Sequence, residues 1–390
     1  MTSVLIVGGG LAAARCADTL RAGGFDGTVV LAGAESHAPY ERPALSKELL
    51  SGARDAASLT LRDSASWSSA DIALRLGSPV ARIDLAGRRA FTRSGVTLSY
   101  DVLVVATGAR PRRHPALSRL PGVHHLRTLD DATRLRDELL AGTRLAIVGA
   151  GLIGAEVAST VRALGIAPTL IEAAPTPLVR AFGREVGAHL AERWRCAGVA
   201  VRTGARIADA RRDRLGRVNA LALEDGASIA CDHVLVSIGV VPATSLVADH
   251  LDLAPDGGIA TDACGRTSAA DVFACGDVAS WHRHGIGSGL RAENWTSAAH
   301  QAAIVARTIL GDEPPASDAP LYAWSDQFGL RLQHVSTGAA WQHVEIEYGA
   351  EDFEARYLDC AGHLVAALVA NRPRAIAGLR RHLAAPAVAA

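Results

Sequence analysis

Residues 144–154 read RLAIVGAGLIG and residues 3–13 read SVLIVGGGLAA. Each stretch is a short apolar run that enters a glycine-rich turn and continues as small and apolar residues with helical spacing. An unbroken apolar run of this length suits a strand buried on both faces, as in a parallel sheet. Gly149, Gly151 and Gly154 form G-x-G-x-x-G, and Gly8, Gly10 and Ala13 form G-x-G-x-x-A. The first glycine permits a tight turn and the second lets backbone approach a pyrophosphate. The small third residue lets helix and strand pack closely, with the helix N-terminus facing the anion. One such loop is weak evidence; two, each between a strand pattern and a helix pattern, are specific. The chain is therefore expected to be α/β, with two Rossmann-like dinucleotide-binding units.

Each loop should be followed by a second strand ending in an acid that binds a ribose hydroxyl. After the second loop, residues 167–171 are apolar and end in Glu172. No arginine follows in Ala173-Ala174-Pro175, so a 2′-phosphate has no partner and NADH is favoured over NADPH. After the first loop the strand pattern covers 28–32, with Ala34 where an acid is expected and Glu35 just beyond. Residues 102–109 form another apolar run ending in Thr107-Gly108, and 234–240 repeat that pattern. Residues 271–279, DVFACGDVA, read as a strand ending in Gly276-Asp277. An acid there can hydrogen-bond the ribityl chain of a flavin, while a following helix points its N-terminus at the diphosphate. One dinucleotide unit then holds FAD and the other binds NADH reversibly.

The 390 residues are too many for one ordinary core and imply two or three domains. Acidic and basic residues balance at 40 each, which argues against nucleic-acid binding, since that needs a dense basic face. The six cysteines include no C-x-x-C or other close pair, so reduced thiols in a cytoplasmic protein are expected. The N-terminal apolar run lacks a basic leader and is too short to cross a bilayer; no membrane association is expected. His124 and His125 are adjacent, and His282 and His284 bracket Arg283, but a third metal ligand is not evident, so no metal is expected. Lys47 is the only lysine in an arginine-rich chain, which marks a position suited to a compact ammonium.

Around that lysine the chain resembles the two-dinucleotide-fold flavoprotein reductases, and among them the oxygenase-coupled ferredoxin reductases. The resemblance covers roughly residues 3–345 and is carried by PYERPALSK at 39–47, RAENW at 291–295 and WSDQ at 324–327. Ala44 stands where the family usually has proline. The resemblance implies a glutathione-reductase-like architecture. The FAD domain is expected at 1–110 and 232–312, the NAD domain at 111–231, and a C-terminal α+β domain at 318–390 after a Pro- and Asp-rich linker. It also implies site residues. Arg42 and Lys47 resemble flavin contacts, with Lys47 near N5 and Glu156 its partner carboxylate. Val80 resembles an adenine contact, Arg110 a diphosphate contact and Asp277 the ribityl ligand. Gly239 and Glu293 resemble nicotinamide-side contacts, and Trp295 and Trp324 aromatics packed by the flavin. Glu35 substitutes for the acid missing at Ala34.

The function so implied is an NADH:ferredoxin reductase, passing electrons through FAD to a small 2Fe–2S ferredoxin or rubredoxin that serves an oxygenase. Disulfide reductases of the same architecture need two close cysteines on the flavin face, and residues 35–50 contain none. Two other readings remain: an NADH oxidase or diaphorase using oxygen or a quinone, and an NADH-sensing flavoprotein like the apoptosis-inducing-factor group. A docking patch would be built from arginines such as Arg283, Arg291 or Arg307. Monomer and homodimer are both compatible with the sequence.

Overall fold

The computed structural model describes residues 2–139, 142–282, 289–312 and 319–384. The first glycine loop leaves a five-stranded parallel sheet ordered Val272–Ala274, Val102–Val105, Ser3–Val7, Thr28–Ala32, Ile72–Arg75. The second leaves a sheet of the same kind, ordered Ala200–Thr203, Thr169–Glu172, Leu145–Val148, His233–Val236, Val123–His124. In both, the central strand carries the loop and is apolar throughout its buried length, as a strand covered on both faces requires. The loops run into helices Leu11–Ala22 and Leu152–Ala163.

The backbone approaches that force glycine are explicit. A Cβ on Gly8 would lie 2.1 Å from the carbonyl oxygen of Ala106, and one on Gly149 would lie 2.3 Å from that of Ser237. The third loop position differs between the units: a Cβ on Gly154 would lie 2.2 Å from the Gly149 carbonyl, whereas Ala13 is fully buried with its methyl in place.

Two boundaries differ from the sequence reading. The second unit does not end at 231, because His233–Val236 pairs with Leu145–Val148 inside its sheet. The FAD-side unit resumes after that strand, across an antiparallel pair of Ala109–Pro111 with Val240–Pro242. An apolar run fits either sheet equally well; only its hydrogen-bonding partner decides. The helix expected after Gly276-Asp277 does follow, but not directly, and its first residues line the same cleft as Gly276 and Asp277. The chain first makes a short strand, Ala279–Trp281, and the helix begins at Trp295, capped by the Asn294 side chain on Ser297 N.

The C-terminal part is a five-stranded antiparallel sheet, ordered Leu321–Gln327, Leu330–Ser336, Leu364–Ala370, Phe353–Leu358, His343–Tyr348. Its alternation gives it two apolar faces. One packs Val335 and Val369 on Ile376, Leu379 and Leu383 of the terminal helix Pro373–Ala384. The other packs Leu330, Leu332, Phe353 and Tyr357 on Phe182, Val186, Leu190 and Trp194 of helix Val179–Cys196 in the second unit. Linker residues 313–318 and the tail beyond 384 lie outside the described residues. Among the described residues no helix is long and apolar enough to cross a membrane.

Tyr357 fixes that interdomain face: its ring is fully buried and its hydroxyl donates to the Phe182 carbonyl at 3.0 Å. Tyr357→Phe should cost about 1 kcal/mol, the net worth of one hydrogen bond, and Tyr357→Ala about 3–5 kcal/mol through the cavity it leaves. Chemical denaturation checks both; equal losses would show that the hydroxyl, not the ring, carries the contact.

Candidate active site

The first glycine loop and the start of the helix that follows the second line a common cleft of about 690 Å³, within the size range of small-molecule and cofactor sites. Gly8, Gly10, Glu35, Arg42, Lys47, Val80, Arg110, Glu156, Asp277, Glu293, Trp295 and Trp324 all line it. The first loop forms one wall. The second enters through the start of its helix, at Leu152, Ile153 and Glu156.

The centre of the site is a buried ion pair. Glu156 on helix Leu152–Ala163 accepts hydrogen bonds from Lys47 Nζ at 3.0 Å, Ser46 Oγ at 2.5 Å and Ser325 Oγ at 2.7 Å. These donors come from the first unit and from the C-terminal sheet. Three donors compensate the desolvation of a carboxylate whose side chain is only 6% exposed. Thr160 Oγ1 also donates to the Ser46 carbonyl at 2.7 Å, holding the lysine-bearing turn against the same helix.

Towards the first loop the cleft is lined by a second network. Glu35 accepts from Arg42 Nη2 and from the Tyr40 hydroxyl, each at 2.6 Å. Arg42 Nη1 donates to the Tyr40 hydroxyl at 2.9 Å and to the Arg127 carbonyl at 2.6 Å. Burial pushes the Tyr40 phenol up, so it stays neutral and serves as donor and acceptor together. Arg127 Nη2 donates to Asp277 at 2.8 Å. Glu293 pairs with Arg291.

The empty space fits a dinucleotide. A Cβ on Gly10 would meet only the Arg42 guanidinium, at 3.9 Å, and one on Gly151 would meet nothing within 4 Å. The second glycine of each loop thus faces open space, and at the first loop that space is bordered by a cation, as a diphosphate requires.

Other residues take different places. Ala13 is packed in the core rather than at the cleft. Glu172 accepts from Ala150 N and Ala174 N, each at 2.9 Å, and so braces the second loop with one carboxylate. Further acceptor sites on the same oxygens remain for a ribose hydroxyl. Gly149, Gly151 and Gly154 shape the second loop beside the cleft, and Gly239 lies in an exposed turn with φ 94°. All six cysteines are free. Cys275 borders the cleft, and burial pushes its thiol up to about 12, which makes it a poor nucleophile. His284 and Arg283 lie outside the described residues.

The sequence reading missed Tyr40, Ser46, Arg127 and Ser325 as parts of the site. Tyr40, Ser46 and Ser325 stand inside motifs quoted for the resemblance, so their positions were visible but their partners were not. Arg127 lies in the segment that crosses between the two units and has no local signal.

Two parallel nucleotide folds facing one cleft, with an arginine-bordered diphosphate space and a buried lysine–glutamate pair, define a dinucleotide-dependent oxidoreductase. The chain belongs to the pyridine nucleotide-disulphide oxidoreductase family, whose model matches residues 2–302. It is 38% identical to the ferredoxin–NAD(+) reductase component of the p-cumate 2,3-dioxygenase system of Pseudomonas putida, over 98% of this chain and 93% of the relative. The corresponding component of the biphenyl dioxygenase system of Paraburkholderia xenovorans is 40% identical over 85% of this chain and 80% of its own. A chain in the crystal structure of the covalent putidaredoxin reductase–putidaredoxin complex superposes with a TM-score of 0.94 at 32% identity, covering 98% of this chain and 93% of that one.

The two glycines of the second loop separate packing from ligand approach. Gly154→Ala should lower stability by about 1–3 kcal/mol, because the methyl has no room. Gly151→Ala should leave the unfolding midpoint near wild type and raise KM for NADH. Thermal unfolding and steady-state kinetics on the same preparations check this; an unchanged KM in Gly151→Ala would show that the loop does not approach the nucleotide.

Proposed function

We propose that this chain is an FAD-dependent NADH:ferredoxin reductase that supplies electrons to an oxygenase through a small 2Fe–2S ferredoxin. The observation that carries this reading is the Lys47–Glu156 pair at the junction of both nucleotide loops, in a cleft that holds no cysteine pair. Bound FAD supplies the chemistry of taking an electron pair as hydride and giving electrons up singly. A lone ammonium suits that exchange, where a disulfide reductase would need a dithiol.

The residues divide the task. Gly8 and Gly10, with Arg42 and Arg110, hold the FAD diphosphate. Glu35 binds the adenosine ribose, Val80 packs on the adenine and Asp277 binds the ribityl chain. Gly149, Gly151, Gly154 and Glu172 hold NADH by its diphosphate and ribose, with Glu293 and Gly239 on the nicotinamide side. Lys47 stabilises negative charge at the flavin end of the cleft. Glu156 keeps that ammonium oriented, which matters because hydride transfer needs donor and acceptor atoms held at near-attack distance. Trp295 and Trp324 cover the reacting end and exclude water. One chain contains both nucleotide loops and the cleft, so catalysis needs no second copy. Rubredoxin is a less favoured acceptor, since the relatives are named for ferredoxin, and a cytoplasmic location accords with NADH as donor.

The test is NADH-driven cytochrome c reduction with and without a 2Fe–2S ferredoxin from the same genome. Strong stimulation by ferredoxin is expected. Rapid oxygen uptake with no stimulation would favour an oxidase, and a long-lived NADH complex with little turnover would favour a sensor. Lys47→Met should slow flavin bleaching by NADH at least about tenfold, a loss of about 1.4 kcal/mol at the transition state. Stopped-flow absorbance checks this, and an unchanged rate would remove Lys47 from the reaction.

A further inference from the structure

The sequence reading left His124 without metal-binding company. The fold provides it from distant positions. His124 ends the edge strand Val123–His124, His233 begins the neighbouring strand His233–Val236, and Glu138 ends helix Leu129–Glu138. His124 Nε2 lies 3.1 Å from His233 Nδ1. Glu138 Oε2 lies 3.6 Å from the first nitrogen and 3.4 Å from the second. Three ligand atoms on a tetrahedral zinc ion, with bonds of about 2.0–2.2 Å, stand about 3.3–3.6 Å apart. The three observed separations fall on or close to that triangle.

We propose that His124, Glu138 and His233 form a binding site for a divalent transition metal, zinc being the ion that their spacing and donor types suit. None of the three lines the nucleotide cleft. His233 begins its strand, and the far end of that strand leads to Ser237, whose carbonyl abuts Gly149 of the second loop. The cluster therefore sits at the end of the sheet opposite the glycine loop, and its role is structural: the ion fastens the two-residue edge strand and the crossing helix to the sheet. That helix begins beside the cleft, where Thr128 and Asp131 are lining residues.

The surroundings suit an ion. The histidine side chains are 5% and 10% exposed and the glutamate side chain 35%, so the site is shielded and opens to solvent on the glutamate side, from which water would supply a fourth ligand. Burial pushes the His124 imidazole down to about 4 and that of His233 down as well, which keeps both neutral, the form that coordinates metal. Arg217 Nη2 donates to the same Glu138 oxygen at 3.3 Å, and with metal bound it would orient the carboxylate from outside the coordination sphere. In the metal-free state one of the two facing ring nitrogens donates to the other; with an ion bound, that proton would sit on the far nitrogen of the same ring, freeing both facing lone pairs for the metal.

The experiment uses the FAD-loaded protein stripped of metal by chelator and dialysis. Cys196 and Cys360 are replaced by serine, because these two thiols are exposed. Zinc is titrated by calorimetry and the thermal midpoint is read with and without one equivalent. One zinc per chain and a raised midpoint are expected. Cobalt in its place should give the visible absorption of a tetrahedral nitrogen–oxygen site. His233→Gln and Glu138→Gln should each weaken zinc binding at least about tenfold and abolish the zinc-dependent rise, while flavin bleaching by NADH in metal-free buffer stays at the parent rate. Glu138 lies at the solvent edge, so its variant keeps the test decisive if His233→Gln does not fold. No saturable zinc uptake in the micromolar range, or variants that bind as the parent does, would reduce the cluster to a hydrogen-bonded triad and overturn the site.

Discussion

Glu156 is one carboxylate buried where three parts of the chain meet, and the active site depends on its being satisfied. A charge removed from water must be paired and hydrogen-bonded, or the fold rearranges to expose it. The helix that carries it belongs to the second nucleotide unit; its partners Ser46 and Lys47 belong to the first, and Ser325 to the C-terminal sheet. None of the three units can satisfy this carboxylate alone. The requirement therefore sets the relative placement of all three, and the lysine reaches the cleft as a result. Thr160 on the Ser46 carbonyl and Ser159 accepting from Phe328 N reinforce the same junction from the next turn of the helix.

The rest of the cleft follows from the geometry of the loops. Each parallel sheet delivers its central strand to a turn so close to the adjacent strand's end that only glycine fits, at Gly8 beside Ala106 and at Gly149 beside Ser237. Each then opens a helix towards empty space. At the first loop that space is bordered by an arginine that is itself held. Arg42 is fastened through Glu35, Tyr40 and the Arg127 carbonyl, so it presents its charge without having to be ordered by a ligand. Preorganisation of this kind lowers what binding must spend on fixing side chains.

Much of this was legible beforehand, because the signals were local. Strand, glycine turn and helix are consecutive in the chain, and the apolar runs differ from their surroundings over a few residues. Both nucleotide loops, the acid at Glu172 and the lysine motif at 39–47 could be read that way. What failed was non-local. The run at 233–236 looks the same whichever sheet it joins, so its unit became clear only from its pairing with Leu145–Val148. The helix expected after Gly276-Asp277 starts only at Trp295, because the intervening Ala279–Trp281 pairs with Ile259–Thr261, 20 residues earlier in register.

The sequence by itself determined the two dinucleotide folds and the absence of a dithiol at 35–50, since each of these is written in residue types at fixed short spacing; the pairing of Lys47 with Glu156, 109 positions apart, was implied only by the family resemblance. Only the tertiary structure decided where their partners stand. Arg127 against Asp277, Ser325 against Glu156 and the His124–Glu138–His233 cluster all join residues 14 to 169 positions apart, the shortest of these spans being that from His124 to Glu138. No periodicity carries information over such separations. Their contacts exist because parallel strands bring distant segments to one end of a sheet, and because a buried charge accepts only the arrangement in which it is fully bonded.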